Sequence, residues 1–175
     1  MAEPCVPRLW APGGGGVRNH VPMALQPPAT VRQARPDDVP ALASLLAELF
    51  AIEVDFAPNR ERQERGLRRL LEREDAACVV AEAGGELAGM ATVQLVVSTA
   101  EGGDAALVED VVVAQAHRRR GVGSALLGAL EDWCRERGIV RLQLLADRDN
   151  AAAFSFYRRR GWTPTRLVAL RRRVE

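Results

Sequence analysis

Residues 117–124, His-Arg-Arg-Arg-Gly-Val-Gly-Ser, place three cations and two glycines directly ahead of an apolar helical pattern. The first amides of a helix have no partner inside it, and the helix dipole makes that end positive. Glycines let a ligand approach the backbone, and arginines add bidentate donors. Such a stretch can bind an anion, a phosphate above all; otherwise it is a glycine turn with solvated arginines. Two nucleotide loops are excluded. A Walker loop needs a lysine, and the chain has none, all 24 of its basic residues being arginine. A dinucleotide fingerprint needs a third glycine three residues after Gly123, where Leu126 stands. Just upstream, "LVEDVVV" sets Glu109 and Asp110 in an apolar run, which is costly unless they are solvated, paired or used. Strict alternation puts Glu109 on one face with Leu107, Val111 and Val113, and Asp110 on the other with Val108 and Val112. Downstream, Tyr157 is the sole tyrosine and comes nearly two helical turns after Asn150, so both point the same way.

The composition narrows the partners. A net charge of +1 argues against a nucleic-acid protein held by bulk charge. An apolar content of 47% with 27% charged residues describes a soluble globular chain. No run of the roughly 18 apolar residues that a membrane helix needs is present. Cys5, Cys78 and Cys134 are odd in number and widely spaced, which implies no disulfide framework and no metal. Cys78 and Cys134 lie in apolar patterns, as inert core thiols do, and a reducing cytoplasm suits them. Pro4, Pro7 and Pro12 interrupt any secretory signal.

Periodicity defines the positioning elements. Residues 1–29, rich in proline and carrying Gly13–Gly16, read as a disordered extension, and residues 30–175 as one domain. "TVRQA" is a strand; "RPDDVPALASLLAELFAIE" and "PNRERQERGLRRLLERE" are helices, the second with a solvated charged face. "ACVVAEA" and "ELAGMATVQLVVS", joined at Gly84-Gly85, form a hairpin, and "AALVEDVVVA" is a fourth strand. A helix opens at the glycine-arginine loop and stops at Gly138. "VRLQLLA" is a buried strand, "DNAAAFSFYRRR" a helix capped by Asp149 or Asn150, and "TPTRLVALRRRV" a last strand region broken at Pro164. The pattern predicts an α/β (α+β) fold: a mixed, mostly antiparallel sheet of about 6–7 strands with one βαβ crossover, flanked by about 4 helices.

Two segments together resemble the GNAT family of N-acetyltransferases. "VEDVVVAQAHRRRGVGSALL" is similar to its acyl-CoA motif, Arg/Gln-x-x-Gly-x-Gly/Ala, matched by Arg118, Gly121 and Gly123. "DNAAAFSFYRRRGW" resembles the family's helix after the fifth strand, with its Asn-x-x-Ala-x-x-Phe-Tyr pattern. The resemblance covers about residues 30–173. It implies that the anion is the diphosphate of acetyl-CoA, cradled by Arg118, Arg119, Arg120, Gly121, Val122, Gly123 and Ser124. It further implies that the fourth and fifth strands splay, so that pantetheine pairs with backbone at Val111, Val112 and Val113. Asn150 would bind the pantetheine, and Tyr157 would donate to the coenzyme sulfur.

Acetyl transfer to an amine requires removal of a proton, because an ammonium of pKa about 10.4 has no lone pair. Glu109 is the expected base, acting through water, with Asp110 the alternative or a pocket residue. The connection between the first two helices, holding Glu53 and Phe56, would wall the acceptor site; acids beside aromatics suit a cationic amine. The acceptor is then a small-molecule amine or a protein amino group, with neither nucleic acid nor membrane as partner, and the resemblance also implies a homodimer. The rival reading is a non-catalytic acyl-CoA sensor.

Overall fold

A computed structural model describes residues 29–53 and 55–174. The extension expected over residues 1–29 therefore lies outside the described residues, Ala29 apart, as does Cys5. In chain order the elements are β1 (Thr30–Gln33), α1 (Val39–Phe50), α2 (Arg60–Leu71), β2 (Ala76–Ala83), β3 (Glu86–Ser98), β4 (Gly103–Val113), α3 (Val122–Glu136), β5 (Leu142–Leu144) and α4 (Ala151–Arg159). Short 3-10 turns at Pro36–Asp38 and Gln115–His117 lead into α1 and toward α3. Gly138, at φ +69°, comes just after the last turn of α3, and the Asn150 side chain caps α4 by accepting from the Ala153 amide.

The five strands lie in sequence order. β1 to β4 pair antiparallel, and β4 pairs parallel with β5, which makes β4-α3-β5 the crossover. Gly84 and Gly85 both take positive φ in the β2–β3 turn, a backbone that side chains with a Cβ disfavour. The sheet buries both faces. α3 contributes Leu126, Leu127 and Leu130 to one core, against Ala91, Val93 and Val108. α1 and α2 cover the other face, with Leu42, Leu46 and Leu67 against Val80, Met90 and Val112. Cys78 and Cys134 are buried in these two cores, and burial pushes the Cys78 thiol up to about 12.

Among the described residues there are five strands, where about 6–7 were expected. Residues 163–174, read as a last strand, form no ladder. Pro164 removes one amide donor, and Leu167, Val168 and Leu170 stay exposed, the last at 93%. β5 is shorter than its apolar run because only Leu142, Gln143 and Leu144 find partners. It is also half-exposed rather than buried.

Among the described glycines, Gly89 leaves the least room for a side chain. A Cβ there would sit 2.7 Å from the Val112 carbonyl oxygen and 3.1 Å from Leu126 Cδ1. Gly89→Ala is expected to lower stability by about 1–3 kcal/mol through overpacking, read as a lower urea midpoint at unchanged m-value.

Candidate functional site

The β4–β5 ladder ends at Val108↔Leu144, so β4 continues from Glu109 to Val113 without a neighbour on that side. The Ala114 amide donates to the Ala88 carbonyl at 2.9 Å. Antiparallel alternation then turns the Val112 backbone toward Met90, its partner in register, and the backbone groups of Val111 and Val113 toward the open side. The Val113 carbonyl accepts from Arg118 Nε at 2.9 Å, which ties the loop to this edge. The edge available to a ligand is thus at Val111 and Val113, while Val112 is buried in the α1/α2 core.

Strict alternation along "LVEDVVV" does not hold. Ala91 pairs with Val111 but Val93 with Val108, so Glu109 and Asp110 together oppose Thr92. This bulge inserts one extra residue and reverses the facing of the residues beyond it. Val108, Val111 and Val113 all pack toward α3, whereas Asp110 and Val112 lie on the α1/α2 side. The expected grouping of Asp110 with Val108 is corrected accordingly, as is that of Glu109 with Val111 and Val113, since Glu109 lies with Asp110 and Gln94 on the cavity side.

The bulge separates the two carboxylates chemically. Glu109 is exposed and accepts from Gln94 Nε2 at 2.9 Å. Asp110 is half-buried; its Oδ2 accepts from the Thr92 hydroxyl at 3.1 Å, and its amide donates to the same hydroxyl oxygen at 3.0 Å. Burial, with the nearby charge of Glu109 and more weakly of Glu53, raises the Asp110 carboxyl to about 6. Both carboxylates line a cavity of about 810 Å³ between the sheet and the first two helices, with Phe50 and Phe56 on its wall. The two ring centroids lie 5.3 Å apart with the planes tilted by 34°. Glu53 itself has its carboxyl raised, by burial and then by Asp147 and Asp55.

Tyr157 is the third titratable group. Its ring packs against Phe156 and Trp162 at 5.3 and 5.9 Å. Burial, and secondarily Glu53, raises its hydroxyl, which therefore stays protonated. Asn150 spends Oδ1 on the helix cap and keeps its amide NH2 as a donor.

The loop before α3 has the backbone that an anion site needs. Arg119 adopts φ +61°, unusual for a residue with a Cβ, and Gly121 takes φ +83° as the N-cap. No side chain caps α3, which leaves the amides of its first turn open. The two glycines divide the work. Gly121 permits the left-handed turn, whereas Gly123 makes room for α4: a Cβ there would lie 3.2 Å from Phe156 Cζ. The Gln115 amide donates to Glu48 of α1 at 3.3 Å, which fixes the loop from the other side.

The structure thus brings Glu109, Asp110 and Phe56 to one cavity and the loop to the open edge of β4. Glu53 does not line that cavity but biases both Asp110 and Tyr157. Sequence reasoning missed Thr92 and Gln94. A fully buried threonine inside "GMATVQLVV" was the one signal that a polar partner lay opposite.

Residues 40–162 match the model of the acetyltransferase (GNAT) family. The chain belongs to that family. Among its relatives, an uncharacterized protein, YxbD, of Bacillus subtilis (strain 168) is 44% identical over 48 residues, 27% of this chain and 30% of that protein. Streptothricin acetyltransferase of Streptomyces lavendulae is 38% identical over 84 residues, 48% of this chain and 42% of that protein. The chain therefore spans less than half the length of either. The crystal structure of aminoglycoside N-acetyltransferase AAC(6')-Iy in complex with CoA superposes at a TM-score of 0.71 with 18% identity, over 83% of this chain and 94% of that one; it shares the fold. Among the described residues this GNAT fold has five strands and four α-helices, and the family's acyl donor is acetyl-CoA. Among the described residues no helix is long and apolar enough to cross a membrane.

Proposed function

We propose that the chain transfers the acetyl group of acetyl-CoA directly to a primary amine, with Asp110 as the base and Tyr157 as the acid. The observation that carries this reading is a carboxyl held at about 6, lining an open cavity, beside the unpaired edge of β4. Arg118 and the amides from Arg119 to Ser124 hold the diphosphate of the donor, and the Val111 and Val113 backbone with Asn150 orient its pantetheine arm. The amine nitrogen attacks the thioester carbon. As the C–N bond forms the N–H becomes acidic, and Asp110 accepts the proton. The C–S bond breaks, and Tyr157 protonates the departing thiolate.

The base role expected for Glu109 passes in this reading to Asp110, because Glu109 faces water and pairs with Gln94. Glu109 instead adds negative charge that draws a cationic acceptor. Phe56 flanks the acceptor, and burial, aided by Glu53, keeps Tyr157 protonated. An aminoglycoside is one amine of this class, as the name of the structural relative suggests. A free-thiol assay with acetyl-CoA and a panel of amines tests the reading: thiol should appear only when both are present. Tight acetyl-CoA binding without turnover on any amine would make the chain an acyl-CoA-binding module instead.

A further inference from the structure

Residues 163–174 run past the acceptor cavity, which Arg173 helps to line, and one residue of the segment bonds to its wall. Among the described residues, the hydrogen bond, ion pair and ring contact that tie this segment to the acceptor wall all come from Arg171. Its guanidinium carbon lies 4.6 Å from the centre of the Phe56 ring. Its Nη1 donates to the Asp55 carbonyl at 3.4 Å, and its Nη2 stands 4.0 Å from the Asp55 carboxylate. The hydrogen bond and the ion pair are at the loose end of their ranges, while the ring contact is an ordinary exposed one, Phe56 being 48% exposed. The segment has no strand partner to anchor it.

The corner that receives this cation belongs to the acceptor cavity. Asp55, Phe56, Phe50, Glu109 and Asp110 line the same space. An aromatic face backed by a carboxylate is the arrangement that selects a cation. Here the chain's own guanidinium lies against that face and carboxylate, with a loose hydrogen bond and ion pair that leave it free to exchange.

We infer that Arg171 stands in for the second cation of a di- or polycationic acceptor and is displaced when that acceptor binds. This inference rests on the acetyl-transfer reading for the first amine, which sits at Asp110. The second positive charge then lies on Phe56 against Asp55. Arg62 and Arg69 of α2 and Arg173 of the terminal segment also line the cavity and would favour a carboxylate there, which gives the test its counter-arm.

Three probes of equal length separate the cases: 1,5-diaminopentane, pentylamine and 5-aminopentanoate, titrated calorimetrically into the full-length, CoA-loaded protein. The diamine should bind tightest. In Arg171→Gln, the ratio of diamine to pentylamine affinity should rise roughly three- to tenfold, the scale of an exposed cation–π contact with a loose ion pair. Adding Phe56→Leu to that variant should return the ratio to or below the wild-type value. CoA affinity reports that each variant is folded. An unchanged or lower ratio in Arg171→Gln would overturn the inference, as would tightest binding by 5-aminopentanoate or no binding of the diamine. Thiol release with the same probes keeps the two readings apart. A diamine that binds as expected without acetylation would defeat acetyl transfer and leave the cation corner standing. Turnover of amines with no Arg171 effect would do the reverse.

Discussion

Asp110→Asn is expected to reduce kcat/KM for any amine by about 10²- to 10⁴-fold, the usual contribution of a positioned base. It should do so while raising stability. The Asp110 carboxyl is lifted to about 6 in the folded protein, against about 3.9 in an unfolded chain. Folding thus favours its protonated form, and between about pH 4 and 6 the folded state binds more protons than the unfolded one. Unfolding free energy therefore falls as pH rises through that window, leaving ionised Asp110 a cost of at most ~3 kcal/mol at pH 7. Asparagine removes this cost, so the variant should melt higher at pH 7 and lose that advantage near pH 4. The rate carries the same signature. With a lysine-like amine, log kcat/KM should climb with slope two below about pH 6, where Asp110 and the amine both titrate, and with slope one above it. The variant should show slope one throughout. Glu109→Gln should keep a break, moved below pH 6 because the Glu109 charge no longer raises Asp110, if Asp110 is the base; disappearance of the break in Glu109→Gln and its survival in Asp110→Asn would reverse the assignment.

Tyr157→Phe is expected to lower kcat by about 10²-fold, the low end for a general acid, because a thiolate is already a tolerable leaving group. Acetyl-CoA affinity should stay within about twofold, since the ring still packs on Phe156 and Trp162 and only the hydroxyl is gone. Stability should change little: burial holds the hydroxyl in its neutral form, and among the described residues no hydrogen bond to it would be lost. Pre-steady-state measurement of acetyl transfer isolates the chemical step from product release. An equal loss in acetyl-CoA binding would mean that Tyr157 holds the cofactor and does not move a proton.

The parts of this molecule that local chemistry specifies were legible in the sequence. The Gly84-Gly85 turn, the Asn150 cap, the stop at Gly138 and the apolar stripe of α3 each depend on a few adjacent residues. The glycine-arginine loop was also readable, because the left-handed turn at Gly121 is a local demand. Three features depend on distant partners and were not. The bulge opposite Thr92 arises from the register of β3 against β4, and it is what sorts Glu109 from Asp110. The last apolar stretch, 163–174, alternates like a strand, yet strand formation needs a neighbour and none pairs with it. Gly123 reads as a phosphate-loop glycine, while its tightest neighbour is Phe156, 33 positions downstream in α4.

All of the chemistry depends on where the thioester carrier sits. A crystal structure of the protein with acetyl-CoA bound measures this directly. It should show the diphosphate within hydrogen-bonding distance of the amides between Arg119 and Ser124, with the pantetheine arm along Val111 and Val113 and the sulfur near Tyr157. A diphosphate seated away from that loop, with the β4 edge still bare, would contradict the account.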